Sequence, residues 1–163
     1  MARILVGERV GKLGRLAVGC SASVFDPARQ KMLLTRRADN GQWCVPGGYM
    51  EAGESITEAC IREVLEETGL SVRVKRLIGV YTTPNWLLEY DDGNKWQILV
   101  LHFEAEYING ELENSNETTE FGFFSLAEAG NLDMNELDRR RVVDGFSRQP
   151  ETIVCDNFEF PVK

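Results

Sequence analysis

A chain of 163 residues, 43% of them hydrophobic and 9% aromatic, is long enough to bury one sizeable core without disulfides or structural metals. The formal charge of -8 argues against tight binding to polymeric nucleic acid, which relies on lysine and arginine displacing counterions. No stretch approaches the ~20 apolar residues a bilayer span needs, and residues 1–10 lack a basic segment followed by an apolar one, so neither a membrane segment nor a leader is expected.

In chain order, residues 15–25 are apolar and β-favouring, and 32–34 follow the turn-like Asp26-Pro27-Ala28-Arg29-Gln30, which predicts two paired strands. A polar loop over 38–42 leads to a short extended piece at 43–45, ending at Pro46-Gly47-Gly48, after which a turn is expected. Ser55 and Glu58 form a capping-box pattern and Gly69 supplies a stop, so a helix is predicted over 56–68. Strand character returns over 71–82 and 97–107, with Gly93 and Gly110 marking turns. A last short strand is predicted at 121–124 and a helix over 135–146, spaced by Leu137, Val142 and Val143. Without repeats or linkers, the chain reads as one mixed α/β domain spanning 1–163.

Several residue classes narrow the chemistry. Cys20, Cys44, Cys60 and Cys155 are dispersed, without C-x-x-C spacing, which predicts buried free thiols and a reducing cytoplasm. The single histidine, His102, lies in the alternating apolar run 98–103 and reads as a hydrogen-bonded structural residue. One histidine and scattered cysteines disfavour a tetrahedral zinc site, and no G-x-S-x-G elbow supports a nucleophilic triad. The chemistry must therefore rest on carboxylates.

The helix over 56–68 concentrates them. Glu63, Glu66 and Glu67 stand at i+3 and i+4 spacing and share one face, whereas Cys60, Ile61, Val64 and Leu65 fall on another that can enter the core. A solvated acidic face would place lysine or arginine four residues after each glutamate; here Glu67 follows Glu63 and Ser71 follows Glu67. Only Arg62 is at hand, able to reach Glu66 or the loop residue Glu54. A hard divalent cation, Mg²⁺ or Mn²⁺, would remove the repulsion, and Gly47, Gly48 and Gly53 let the preceding loop turn backbone groups inward.

Residues 48–70 resemble, without a departure, the Nudix box G-x5-E-x7-R-E-U-x-E-E-x-G-U, where U is aliphatic. At ~5–7% usage per residue type, its seven fixed positions would coincide by chance on the order of once per billion starting points, so the match is specific. The resemblance implies an α/β/α sandwich around a mixed β-sheet, with the box forming a loop, a helix and a loop. It implies Glu63, Glu66, Glu67 and the Gly48 carbonyl as metal ligands, and Glu54 with Arg62 as a structural ion pair. The reaction implied is hydrolysis of a nucleoside diphosphate linked to X, such as ADP-ribose or a nucleotide sugar. Pro84, downstream of the box, lies roughly where the ADP-ribose branch carries a proline.

The family's general base varies: Glu67 and Glu63 are candidates within the box, while Glu120 or Glu117, before Phe121-Gly122-Phe123-Phe124, could reach in from a loop. For substrate grip, Arg37 is a candidate phosphate contact, and Trp86, among Tyr81, Tyr90 and Trp96, could stack on a base, with core packing as the alternative. The arginine run 139–141 is expected to be solvated or to pair within its helix. A (d)NTP pyrophosphohydrolase and a non-catalytic nucleotide sensor are the competing functions, the second disfavoured by the intact carboxylate set. A small nucleotide-diphosphate partner, no membrane and a homodimer complete the expectations.

Overall fold

The helix with the clearest start and stop signals organises the fold. In the computed structural model, which describes residues 3–156, α1 spans Ile56–Thr68. The Ser55 hydroxyl accepts the Glu58 amide, and the Glu58 carboxylate accepts the Ser55 amide at 2.7 Å, pairing two of the amides that a helix start leaves open. Gly69 closes the other end at φ 75°, a left-handed conformation that a side chain resists, with its amide on the Leu65 carbonyl at 2.8 Å.

Around α1 the described residues form ten strands: β1 (Arg3–Val6), β2 (Arg15–Val24), β3 (Met32–Arg37), β4 (Trp43–Cys44), β5 (Gly47–Tyr49), β6 (Leu70–Thr82), β7 (Trp86–Glu89), β8 (Lys95–Gly110), β9 (Thr118–Phe124) and β10 (Ile153–Cys155). The larger sheet runs β1-β7-β8-β2-β5, with β6 also on β8 and β10 on β6. It is mixed: β2 with β8 and β10 with β6 are parallel, and the other pairings are antiparallel. A smaller antiparallel sheet runs β4-β3-β9.

Alternation along the strands builds two sides. Cys20, Ala22 and Val24 of β2 pack with Ala59, Cys60 and Val64 of α1. Tyr81, Ile98 and Val100 instead meet Leu137 of α3 (Glu136–Ser147). Met32 and Leu34 of the small sheet pack with Val45, Val142 and Ala129, the last from the short α2 (Leu126–Ala129). Each aliphatic side chain so buried contributes roughly 1.5–3 kcal/mol, so packing rather than helix propensity fixes α1 against the sheet. The result is the expected α/β fold, helices packed on a mixed sheet. Among the described residues no helix is long and apolar enough to cross a membrane.

Three local expectations need correction. Residues 15–25 and 32–34 do not pair along their length: they meet at the Phe25–Met32 bridge and then diverge, because β2 already has β8 and β5 as neighbours and β3 founds the second sheet. The turn expected to follow Pro46-Gly47-Gly48 comes a few residues later, at 52–53, because Gly47–Tyr49 first form strand β5 on β2. Leu65 is 45% exposed, because Cys60 and Val64, one helical turn apart, occupy the core-facing line. The short β1, β7 and β10 and the helix α2 have no counterpart in the sequence reading. His102 is buried, with one ring nitrogen 2.8 Å from the Ser21 hydroxyl and the other 2.8 Å from that of Ser23, a structural role.

Candidate active site

Packing α1 against β2 and β5 fixes where its acidic face points. Glu67 is buried, and one of its oxygens accepts the Gly47 amide at 2.9 Å. The carboxylate of Glu63 lies so close to the Gly48 backbone that a Cβ there would sit 2.5 Å from it, so a side chain at 48 would push the carboxylate aside. The Glu66 side chain is 60% exposed and flanks the same face. Arg62 ties the loop to the helix: its Nε donates to Glu54 at 2.6 Å, Nη1 to Glu63 at 2.9 Å and Glu66 at 3.1 Å, and Nη2 to Glu54 and the Tyr49 carbonyl, both at 3.0 Å. Glu54 also accepts the Glu51 amide at 2.9 Å, and Arg62 beside it draws its pKa down to about 2.

A cleft of about 190 Å³ opens over this face, lined by Glu63, Glu66 and Glu67 together with Ser115, Asn116 and Glu117. Burial pushes the pKa of Glu67 up to about 7; the Gly47 amide and Arg37 oppose this, while the charges of Glu63 and Glu117 reinforce it. Burial also raises Glu63, against the pull of Arg62, with Glu66 and Glu117 adding to the rise. The protein has thus gathered carboxylates that resist ionising together, a state that a cation would reverse. The donor set is all oxygen, which fits Mg²⁺ or Mn²⁺. Among the described residues no three acidic, histidine or cysteine side chains stand, as placed, in a group that could hold a metal ion.

The outlying candidates separate. Arg37 holds Asp39 through two hydrogen bonds, at 2.9 and 2.7 Å, and lines a second pocket of about 350 Å³ with Glu67, Asn116 and Glu117. Glu120 is not in either cleft. It lies on β9 opposite Arg36, which donates to it at 2.7 Å, so the antiparallel register turns it to a surface ion pair, and Glu117 is the later glutamate beside α1. Trp86, offered as a stacking residue, begins β7 at 8% exposure and packs with Tyr81, Ile98 and Leu137 in the core. The Pro84 carbonyl accepts the Gly11 amide at 2.9 Å, tying down the short turn Val10–Leu13.

Of the arginine run expected to be solvated or to pair within its helix, Arg141 does pair, but it is buried: it donates to Asp138 at 2.5 Å and, beyond the helix, to the Ser21 hydroxyl at 2.8 Å, a link the sequence reading missed, while Asp138 accepts the Val45 amide at 3.2 Å. Helix α3 thereby grips the chain that leads into Gly47 and Gly48. The available signal was Asp138 three residues before Arg141, between the apolar Leu137 and Val142.

Comparison with known proteins bears on the family and the fold. The NUDIX domain family model matches residues 15–146. An ADP-ribose pyrophosphatase from Methanocaldococcus jannaschii is 35% identical over 121 residues, covering 72% of this chain and 66% of the relative, so the match spans just under two thirds of that protein's length. Among solved structures, a MutT protein from Bacillus halodurans superposes with a TM-score of 0.68 at 27% identity, covering 90% of this chain and 95% of the other. An ADP-ribose pyrophosphatase from Streptococcus suis shares the fold at a TM-score of 0.65 and 24% identity, covering 85% of this chain and 98% of the other.

Proposed function

The chain belongs to the Nudix hydrolase family, and from that premise we propose that it hydrolyses the phosphoanhydride bond of a nucleoside diphosphate linked to a second moiety, with ADP-ribose and nucleotide sugars as its first substrates. The observation that carries this reading is the single cleft in which Glu63, Glu66, Glu67 and Glu117 meet, with the Glu63 carboxylate against the Gly48 backbone. Glu63, Glu66, Glu67 and the Gly48 carbonyl would hold Mg²⁺ or Mn²⁺, which when bound offsets phosphoryl charge and lowers the pKa of water.

The chain's own contribution is positioning and proton transfer. Arg62 holds Glu54, Glu63 and Glu66 in register, so the loop and the helix move as one piece. Glu67 is the proposed proton acceptor for the attacking water. The Gly47 amide pins one of its oxygens and so fixes the direction in which the carboxylate faces the water. Attack at the nucleotide-side phosphorus releases a nucleoside monophosphate and phosphorylated X. The ADP-ribose assignment draws on the 35% identical relative, and the Arg37 pocket beside Glu67 offers room for the second phosphate or a terminal sugar. The buried free thiols Cys20, Cys44, Cys60 and Cys155 suit a reducing cytoplasm. A homodimer is proposed through the edge strand β1, where Ile4 and Val6 are exposed.

The test is a panel of ADP-ribose, nucleotide sugars, dinucleoside polyphosphates and all (d)NTPs, assayed with Mg²⁺, with Mn²⁺ and with chelator. At least one linked diphosphate should be cleaved with metal and none with chelator, and Glu67→Gln should lower kcat by about two orders of magnitude or more while the fold survives. Cleavage confined to triphosphates would move the assignment to a (d)NTP pyrophosphohydrolase. Near-normal turnover in the glutamine variant removes Glu67 from its role.

A further inference from the structure

The amide that pins Glu67 belongs to Gly47, and the chain two residues earlier is held from a different helix. Helix α3 carries two buried aspartates, Asp138 and Asp144, each paired with an arginine of the same helix. They face different neighbours. Asp144 accepts the Tyr81 hydroxyl of β6 at 2.9 Å and the Arg140 Nε at 2.8 Å. Asp138 accepts Arg141 Nη2 at 2.5 Å, the Asn135 side-chain amide at 2.6 Å and the Val45 amide at 3.2 Å, so three donors offset the burial of its charge.

Arg141 also reaches the other end of the segment 45–47. Its Nη1 donates to the Ser21 hydroxyl at 2.8 Å, and Ser21 is the partner of Gly47 in the β2–β5 register. The two backbones are so close that a Cβ on Gly47 would stand 2.6 Å from the Ser21 Cα. Between these holds, the Pro46 carbonyl accepts the Ala22 amide at 3.0 Å. That carbonyl and the Gly47 N–H belong to one planar trans peptide and point opposite ways, so with the first on β2 the second is aimed at α1, where it meets Glu67 at 2.9 Å. From the Val45 amide to the Gly47 amide the chain can turn only about the φ and ψ of Val45 and the ψ of Pro46, because the proline ring fixes its own φ.

We propose that Asp138, held by Arg141, is a positioning residue of the hydrolytic reaction: it fixes the backbone of residues 45–47 and thereby the direction in which Glu67 faces the attacking water. The inference rests on the hydrolase reading, with Glu67 as proton acceptor. Without the Asp138 oxygen the buried Val45 amide must find another partner, and the rotation passes along the segment to the Gly47 N–H and so to Glu67. A catalytic group displaced by about 1 Å can cost on the order of a hundredfold in rate. Asp138 lies outside both clefts beside Glu67, so the loss belongs to kcat and not to KM.

The test sets the two aspartates against each other on the substrate found by the panel, at a temperature where circular dichroism shows each variant folded. Asp138→Ala should lower kcat about tenfold or more with KM within about twofold. Asp138→Asn keeps an oxygen for the Val45 amide and should bring kcat back to within about threefold of the native chain. Asp144→Ala removes a buried partner from the same helix without touching residues 45–47, and should leave kcat within about twofold even where its melting temperature falls as far. If Asp138→Ala does not fold, Asp138→Leu combined with Arg141→Met strands no charge and takes its place with the same expected loss. Amide exchange of Gly47, followed by NMR in chelator without substrate, gives a measure independent of turnover. It should quicken about tenfold or more in Asp138→Ala and stay within about threefold in Asp144→Ala. Full kcat in the folded Asp138 variant overturns the proposal, as do equal losses from the two aspartates or an Asp138→Asn no better than Asp138→Ala. Cleavage with a turnover indifferent to Asp138 sinks the positioning role alone; a native chain that cleaves no panel compound, while Gly47 exchange still follows Asp138, sinks the hydrolase reading and leaves the hold on Gly47 standing.

Discussion

Glu117 and Glu120 are three residues apart and have different surroundings. Glu120 sits opposite Arg36 in the β3–β9 register and is neutralised by it at the surface, with side-chain exposures of 54% and 41%. Such an exposed pair contributes little, about 0–1 kcal/mol, and nothing about it touches the cleft. Glu117, just before β9, lines the cleft of Glu63, Glu66 and Glu67 and adds to the upward shift of both Glu63 and Glu67. Replacing each by glutamine separates the two: Glu117→Gln should lower kcat about tenfold or more, and Glu120→Gln should leave it within about twofold. Steady-state rates on the substrate found by the panel decide the matter, and equal losses in the two variants would contradict the assignment. Sequence could not make this distinction. Which of two glutamates enters a cleft depends on strand register against a partner eighty residues away, whereas Glu63, Glu66 and Glu67 are related by local helix geometry alone and were legible at once.

At the scale of elements, α1 was readable because its boundaries are local chemistry: Ser55 and Glu58 at one end, Gly69 at the other. Sheet membership was not, because β2 and β3 are near in sequence but find their partners far away, at β8 and β9. Trp86 misled for a related reason. Between Pro84 and Gly93 it looked like a loop aromatic, yet the four residues of β7 pair with β1 and β8 and carry it into the core. The arginine run hid the difference between its members: in α3 the Arg140 side chain is 50% exposed and that of Arg141 10%. Arg141 neutralises the buried Asp138, which also holds the Val45 amide, so removing the cation strands a charge between α3 and the approach to Gly47. Arg141→Ala should therefore cost about 3–5 kcal/mol in denaturant unfolding, as for other broken buried pairs. A loss below about 1 kcal/mol would class the pair with exposed ones.

At the scale of the whole molecule, one residue joins three elements and couples them to pH. His102 of β8 lies between Ser21 and Ser23 of β2, edge-on to the Tyr81 ring of β6. Arg141 of α3 donates to Ser21, and Asp144 of the same helix accepts the Tyr81 hydroxyl at 2.9 Å. Burial holds the pKa of His102 well below the ordinary histidine value, and the positive charge of Arg141 pushes it in the same direction. The unfolded chain takes up this proton near pH 6.5, while the folded one refuses it until much lower pH. Unfolded molecules thus bind more protons over that interval, so the histidine's contribution is complete above about pH 6.5 and is lost as pH falls, by up to about 1.4 kcal/mol per pH unit. The carboxylates also titrate in acid, but they are common to the native chain and a His102→Gln variant, so the difference between the two isolates the histidine. Urea unfolding of both proteins in chelator at pH 7.5, 6.5, 5.5 and 5.0 should give curves of stability against pH that run parallel above about 6.5 and converge below it. Curves that stay parallel throughout would mean that His102 takes up its proton at the same pH folded as unfolded, so that below about pH 6.5 the meeting point of β2, β8 and α3 would hold two positive charges instead of one.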